Sequence, residues 1–307
     1  MITVVIPLYN KAPHITQTLD SVLAQTVPAE AIVVVDDGSS DESAEIVLAY
    51  ARRGVRLIRQ TNQGVSAARN AGVNAAQTGY VAFLDADDWW QPNHLQVLQN
   101  LALSQPTAAL LSTSHLIRRA DRFYCPRSSL PQGWSGEVQD FFSTYARGLA
   151  LVNSSTACVR RSALLESGGF PVGVRRGEDI ITWINLALHF PVAHAHIATA
   201  VFNQQAVNRT DTLRETEAPG SLQHLARLLN DSSLNEQQRR GLGVLFDRIA
   251  FFTAAGFRLN GDSSGASAIR RLSFSCGRHS AGVAIAMLSL VPPSALRAAK
   301  HLRHHAN

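Results

Sequence analysis

Over its first hundred residues the chain alternates short β-branched runs with amphipathic helical patterns, and that alternation leaves few folds open. Ile2 to Ile6 reads as a strand, and Pro13 to Gln25 as a helix with Ile15, Leu19, Val22 and Leu23 on one face. Ala31 to Val35 is a second strand, and its unbroken hydrophobicity predicts that both of its faces are covered. Ser39 with Glu42 reads as a capping box opening a helix that runs to about Arg52. Val55 to Arg59, Val65 to Gln77 and Tyr80 to Leu84 continue as strand, helix, strand. Crossover units of this kind build a mostly parallel sheet with helices on both sides. Further on, Pro92 to Ser104 reads as helix, Ala108 to Ser112 and Thr156 to Val159 as strands, and Ser162 to Glu166 as a short helix. The stretch from Arg118 to Ser155 reads as loop with isolated aromatics. Glu178 opens a helix carrying Ile180, Ile184 and Leu188, and from about Ser221 the pattern is helical throughout.

In open sheets of this type ligands bind beyond the carboxyl ends of the strands. Tyr9 and Asn10, Asp36 and Asp37, and Asp85 to Asp88 all fall at such ends, so three polar clusters converge on one edge of the sheet. The last cluster, in "VAFLDADDWW" at positions 81–90, places three carboxylates within four residues of a buried strand. Such crowding is unfavourable unless something neutralises it. One aspartate reads as a turn cap; three point to a hard divalent cation, which takes one or two protein carboxylates and completes its shell with water and substrate phosphates.

The bulk properties narrow the partners. Of 307 residues 46% are hydrophobic and 17% charged, which supports a sizeable core and excludes a disordered or repetitive chain. The net charge of +5 does not read as a nucleic-acid footprint, because no segment interleaves basic and aromatic residues. Instead Arg270, Arg271, Arg278, Arg297, Lys300 and Arg303 thicken towards the C-terminus. Three widely spaced cysteines offer neither a disulfide framework nor a zinc site and fit a reducing compartment. The N-terminus carries no basic region ahead of an apolar one, so no cleaved leader is expected, and the apolar run Ala281 to Val291 is too short to span a bilayer.

Taken together, "VVIPLYNK" at 4–11, "VVVDDGSSD" at 33–41, "NQGVSAARNAG" at 62–72, "FLDADDWW" at 83–90 and "GED" at 177–179 resemble the family-2 glycosyltransferases, in order and in rough spacing, over about residues 1–210. The resemblance implies a GT-A fold: an α/β, Rossmann-like architecture whose mostly parallel central sheet is flanked by helices, here with a helical C-terminal extension. It divides the chain into a transferase domain at 1–218, with a nucleotide-sugar half at 1–105 and an acceptor half at 106–218, and a helical region at 219–307. It implies inverting transfer of a sugar from a nucleotide-diphosphate donor, usually a uridine one, to a hydroxyl of a glycan or lipid-linked acceptor. The setting implied is surface polysaccharide or glycolipid assembly in the cytoplasm or at the cytoplasmic face of the membrane.

Donor binding falls by resemblance to Pro7, Tyr9, Asn10, Asp36, Asp37, Arg69, Asp85 and Ala86. Tyr9 offers a ring to stack on a base, Asp36 an acceptor for a base N–H, and Arg69 a partner for Asp36 or the nucleotide, or else a plain surface arginine. Asp85-Ala86-Asp87 matches the family's DXD motif, which implies Asp87 as direct ligand of Mn²⁺ or Mg²⁺ and Asp85 at the ribose or the metal's water shell; Asp88 would cap the next segment. Asp179 is the implied catalytic base, and a carboxylate in the first turn of a helix is expected to stay ionised near neutral pH. Glu178 and Trp183 are assigned to the acceptor, Trp183 as a sugar platform or alternatively a core residue. Arg175 and Arg176 face either an anionic ligand or solvent. His189, His194 and His196 lack the spacing of a compact metal site and read as structural. Two departures from the family pattern, Asn185 in the helix after Glu178-Asp179 and Phe202-Asn203-Gln204-Gln205 later, leave open a third metal ligand and the acceptor.

Ser294 to His305 reads as a basic amphipathic helix that suits an anionic membrane surface, packing on the domain or a homodimer contact being the alternative. Rival functions fit less well. A haloacid-dehalogenase phosphatase motif would continue into Gly-Thr, where this chain has Asp88-Trp89, and a nucleotidyltransferase would want a glycine-rich basic loop in place of Pro7 to Lys11. A catalytically inactive nucleotide-sugar-binding protein differs from an enzyme only in turnover.

Overall fold

The computed structural model describes residues 1–120, 122–148, 151–207, 218–292 and 294–296. The chain divides into two compact units, Met1–Thr212 and Leu213–Asn307. The first is built on one sheet in the order β3-β2-β1-β4-β9-β6-β10-β5. Its parallel half consists of β1 (Ile2–Leu8), β2 (Ala31–Asp36), β3 (Val55–Arg59) and β4 (Tyr80–Phe83). Every residue of β1 and all but the first of β2 are buried, as continuous apolar runs require when helices cover both faces. Those helices are α1 (Ala12–Leu23), α2 (Ser43–Ala49) and α3 (Val65–Ala75). A Cβ at Gly72 of α3 would collide with the Val5 side chain, so this glycine lets the helix lie directly on β1.

The second half of the sheet departs from the sequence reading. β9 (Ala157–Arg160) runs antiparallel to both β4 and β6 (Leu110–Arg119), and β6 lies parallel to the long β10 (Val192–Asn203). β5 (Trp89–Trp90) pairs antiparallel with β10, while β7 (Arg122–Tyr124) and β8 (Ser135–Glu137) add to β6 and β10. The expected strand at 108–112 therefore extends seven residues further than its apolar run, and β10 carries no pattern the sequence reading recognised. Both strands bury polar side chains, Ser112, Thr113, Ser114 and His115 facing His194, His196 and Thr199, which erases the hydrophobic signal. These groups satisfy one another: His194 sits within hydrogen-bonding distance of Ser112 and Ser114, and His94 of Thr199. The loop expected at 118–155 also contains α5 (Phe141–Arg147).

Smaller corrections concern the helices. No capping box opens α2; Glu42 is its N-cap, and after Ala49 the chain tightens into a 3₁₀ turn over Ala51–Arg53. α4 (His94–Ser104), α6 (Arg161–Glu166) and α7 (Glu178–His189) follow the expected positions.

The second unit holds α8 (Gly220–Leu229), α9 (Glu236–Leu259), α10 (Ser263–Ser275) and α11 (His279–Leu290), with no strand among its described residues. A capping box between Asn235 and Gln238 starts α9. Most of the basic helix expected at 294–305 lies outside the described residues. No described helix is long and apolar enough to cross a membrane.

Candidate functional site

The carboxyl ends of β1, β2 and β4 and the N-terminus of α7 supply the acidic and polar groups. Tyr9, the residue after β1, keeps 45% of its surface exposed, so its ring is open to a partner. Asn10 adopts φ 51° and is committed to the neighbouring loop: its N–H donates to Ser39 Oγ (3.0 Å) and its Oδ1 accepts from Ser40 N (2.8 Å). Pro7, expected at the donor, is buried inside β1 opposite Val35 and presents no open surface.

The two aspartates after β2 differ. Asp36 is fully buried; its Oδ1 accepts from Ser39 N at 3.0 Å, so Asp36 holds the turn that Ser39 was expected to cap. Its Oδ2 lies 3.3 Å from Arg59 Nε without hydrogen-bond geometry, leaving a buried carboxylate oxygen in want of a donor. Asp37 accepts from Gln60 Nε2, Gln63 N and Gly64 N at 2.7–2.9 Å. Asp37 thereby braces the loop entering α3.

The three carboxylates after β4 are handled in three ways. Asp85, with 33% of its side chain exposed, pairs through Oδ1 with Arg69 Nη2 at 2.8 Å. Asp87 pairs through Oδ2 with Lys11 Nζ at 2.6 Å. Asp88 is buried and accepts from Ser155 Oγ (2.5 Å) and from the backbone N–H of Asn203 (2.8 Å), and burial, then Asp87 and Asp85, push its pKa well above the usual carboxylate range. Rather than capping the next segment, it ties β4 to the 3₁₀ turn Ser154–Thr156 and to the end of β10. Ala86 is buried, and its carbonyl accepts from Thr18 Oγ1.

Arg69 joins this cluster to the start of α7. Only 3% of its side chain is exposed, and its Nη1 donates to Glu178 Oε1 at 3.0 Å while Nη2 holds Asp85. It is neither a surface residue nor a partner of Asp36. Its guanidinium lies 5.2 Å from the Phe170 ring, and the adjacent Asn70 clamps Phe170 by exchanging hydrogen bonds with its backbone N–H and C=O. Hence the "ARNAG" stretch acts residue by residue: Arg69 grips the acids, Asn70 the Phe170 loop, and Gly72 the sheet. Glu178, expected at the acceptor, spends one oxygen on Arg69.

Asp179 is half-buried beside these groups, and its Oδ1 accepts the N–H of Ile180 at 2.8 Å. Burial first and Glu178 second raise its pKa to about 7, while Arg69 opposes them. Desolvation thus outweighs the helix-end effect, and the expectation of a carboxylate ionised throughout the neutral range is corrected. Trp183, one turn on, is fully buried between Phe83 (6.5 Å) and Phe170 (5.7 Å), a core residue and not an acceptor platform.

Asp85 and Asp87 offer oxygen donors of the kind Mg²⁺ and Mn²⁺ prefer, each with one oxygen already paired to a protein cation. Among the described residues no three His, Cys, Asp or Glu side chains converge into a closed metal cage. The donor set fits an open site in which water and a bound phosphate complete the shell.

Fold and site together define an α/β protein with an acidic cluster at the ends of its parallel strands. Residues 3–166, more than half of the chain, match the model of glycosyl transferase family 2, and the chain belongs to that family. It is 42% identical over 91 residues to the uncharacterized glycosyltransferase EpsJ of Bacillus subtilis, covering 29% of this chain and 26% of EpsJ. It is 42% identical over 99 residues to the glycosyltransferase GlyA of Streptococcus pneumoniae, covering 32% and 14%. The matched stretch is thus under a third of either relative. Among solved structures, TarS of S. aureus in complex with UDP-GlcNAc aligns with a TM-score of 0.74 at 20% identity, covering 90% of this chain and 81% of that one. The mannosyltransferase PcManGT of Pyrobaculum calidifontis, in complex with GDP-Man and Mn²⁺, aligns at 0.61 and 21% identity, covering 97% and 82%. The architecture is the GT-A fold expected from the sequence.

Proposed function

We propose that the protein transfers a sugar, with inversion, from a nucleotide-diphosphate donor to a hydroxyl of a glycan or lipid-linked acceptor. The observation that carries this reading is Arg69: one buried side chain grips Asp85 on the donor side and Glu178, 109 residues away in sequence, beside Asp179. The open ring of Tyr9 and the orphaned Oδ2 of Asp36 are suited to a base, one by stacking and the other by accepting an N–H.

In this mechanism Asp179 takes the proton from the acceptor hydroxyl as its oxygen attacks the anomeric carbon. The bond from that carbon to the diphosphate oxygen breaks, and the nucleoside diphosphate leaves on the opposite face. A pKa near 7 places Asp179 where a base is most effective at neutral pH. Asp87, with Asp85, would hold Mn²⁺ or Mg²⁺, which when bound offsets negative charge on the leaving diphosphate. The ligands bound by the structural neighbours, UDP-GlcNAc and GDP-Man, favour a sugar nucleotide as the donor class.

The C-terminal unit supports an acceptor held at a membrane. Residues 213–307 contain twelve Lys or Arg against six Asp or Glu, whereas the preceding 212 residues have sixteen against seventeen. On α9, Val244, Arg248, Phe251 and Phe252 form one exposed stripe, and on α11 Val283, Met287 and Leu290 form another. Apolar stripes on a cationic unit suit an anionic bilayer surface, which we assign to the cytoplasmic face.

The deciding experiment measures nucleoside diphosphate release from a panel of sugar nucleotides with Mn²⁺, Mg²⁺ or chelator and a membrane-extract acceptor. Metal-stimulated release that falls by orders of magnitude in Asp179→Asn, with donor binding intact, is expected. Donor binding without release in the wild type would instead favour an inactive sugar-nucleotide-binding protein.

A further inference from the structure

Three buried rings join the strand that leads to the acidic cluster with the helix that carries Asp179. Phe83 lies on β4, two residues before Asp85, and Trp183 lies on α7, one turn after Asp179. Phe170, from the loop between α6 and α7, meets both rings edge-on: 5.0 Å and 83° to Phe83, 5.7 Å and 84° to Trp183. Edge-to-face packing is directional, so the Phe170 ring sets both the spacing and the angle at which strand and helix meet. Trp183 depends on this packing for its orientation, because its buried Nε1 has no hydrogen-bond partner among the described residues.

A ring acts as a spacer only if its backbone is fixed, and that of Phe170 is fixed from two sides. Gly168 N and Gly169 N donate to Leu165 O and Leu164 O, at 3.1 and 2.9 Å, and close the end of α6. Asn70 then takes both backbone groups of Phe170: Oδ1 accepts the N–H at 2.9 Å and Nδ2 donates to the carbonyl at 2.8 Å. Gly169 has φ 71°, and a Cβ there would lie 2.7 Å from Asn70 Oδ1, so glycine is what lets the amide come this close. The neighbouring Arg69 holds Glu178 at the start of α7. Two consecutive residues of α3 therefore fix the chain at Phe170 and at Glu178, on either side of the exposed turn around Val172.

We propose that Asn70 and Phe170 are positioning residues for sugar transfer: Asn70 locks Phe170, whose ring, wedged between Phe83 and Trp183, fixes Asp179 relative to the carboxylates beyond β4. This rests on the reading of Asp179 as the base. Both residues act through Asp179 and not by touching the reactants; Phe170 is 1% exposed. The consequence is selective. An acceptor hydroxyl held in its own site cannot follow a displaced carboxylate, whereas a water molecule can. Water then gives its oxygen to the anomeric carbon and a proton to Asp179, and the nucleoside diphosphate leaves with free sugar as the other product. Misplacing the base thus costs transfer more than donor hydrolysis and leaves donor binding unchanged.

The test compares wild type with Asn70→Leu, which fills the same space without either hydrogen bond, and with Phe170→Leu, which removes the wedge. Using whichever sugar nucleotide the wild type turns over, with Mn²⁺ and a membrane-extract acceptor, transfer is read as incorporated sugar and hydrolysis as free sugar. Asp179→Asn serves as the blank. The maximal rate of transfer is expected to fall about tenfold to hundredfold in both variants, with donor KM within about twofold and the ratio of hydrolysis to transfer raised about fivefold or more. Hydrogen exchange should quicken at the amides of Ile181 and Thr182, in the first turns of α7, while Val33 to Val35 on β2 keep wild-type protection. An unchanged transfer rate, parallel loss of transfer and hydrolysis, a change confined to donor KM, or wild-type exchange at Ile181 in Asn70→Leu would each overturn the proposal and leave the base reading intact. Should Phe170→Leu fail to fold by circular dichroism, Asn70→Leu decides the matter by the same readouts. A folded wild type that turns over no sugar nucleotide would overturn both readings.

Discussion

Replacing Arg69 by methionine keeps the apolar stem against Phe170 and removes the guanidinium that bridges Asp85 and Glu178. Removing one member of a buried ion cluster costs about 3–5 kcal/mol, because the partners are left as uncompensated buried charges. The lower end applies here. Asp85 is one-third exposed and recovers hydration, while Glu178, with 12% exposed, does not. A loss of about 3 kcal/mol corresponds to a melting temperature lower by roughly 6–12 °C for a unit of this size. Thermal unfolding at pH 7.5 reads the shift. The Arg69→Met, Glu178→Gln double variant then isolates the bridge: deleting both partners should restore about 1–2 kcal/mol relative to additivity. A fall below 2 °C in the single variant, or strict additivity in the double, would refute the bridge as the link between the two acidic clusters.

Further outcomes follow from the same geometry. Asp179 has its pKa raised from 3.8 to about 7, so its ionisation weakens the fold as pH climbs through that window, and its own contribution to stability is greatest below about pH 4. Asp179→Asn should therefore be more stable than wild type by up to about 4 kcal/mol at pH 8 and equal to it near pH 4, read by urea titration at both pH values. In the wild type, kcat/KM for transfer should rise about tenfold per pH unit up to about 7 and then level, and Asp179→Asn should lose about 10²–10⁴ in rate. Gly72→Ala should destabilise by about 1–3 kcal/mol, since the new methyl group meets Val5, with a lower urea midpoint as the readout. The 307-residue chain should sediment with vesicles containing anionic phosphatidylglycerol and not with neutral phosphatidylcholine alone. Phe251→Ser with Phe252→Ser should reduce that fraction several-fold.

Legibility followed the strength of local patterns. The parallel strands and their helices were readable because each buries a repeating apolar set, and β3 fell within its predicted limits at Val55–Arg59. β10 was not, because alanine and histidine occupy its buried positions and its pairing depends on the equally polar β6. The strand-end aspartates were legible as a group and not individually. Asp36, Asp37, Asp85 and Asp88 have the same chemistry in sequence, and only long-range partners separate them: Arg59, the loop before α3, Arg69 and Ser155. Trp183 shows the converse. Helical spacing put it in line with Asp179, but spacing does not say which side of that line faces the core. Lys11 lies within the "VVIPLYNK" stretch, which gives no sign of its ion pair, since Asp87 is 76 residues away.

The crowding of Asp85, Asp87 and Asp88 is relieved without a common solution, and the three solutions predict three different responses to substitution. Asp85 and Asp87 each face a cation, so neutralising either breaks an ion pair with Arg69 or Lys11. Asp88 faces none; it has a hydroxyl and a backbone N–H, in a buried position where neighbouring carboxylates favour its protonated form. Asparagine is close to that form in shape and charge. It can still accept from Asn203 N, and the Ser155 hydroxyl can turn to accept from the amide. Asp88→Asn should therefore be no less stable than wild type at pH 7, whereas Asp88→Ala leaves the Asn203 N–H and the Ser155 hydroxyl unsatisfied and should cost about 2–3 kcal/mol. Raising the pH sharpens the contrast, because a group with an elevated folded pKa loses stability as it ionises, and asparagine does not. Urea midpoints at pH 6 and pH 9 should converge for Asp88→Asn relative to wild type. If Asp88→Asn is instead as damaging as Asp88→Ala, the side chain is held as a carboxylate, and some cation must reach it after all.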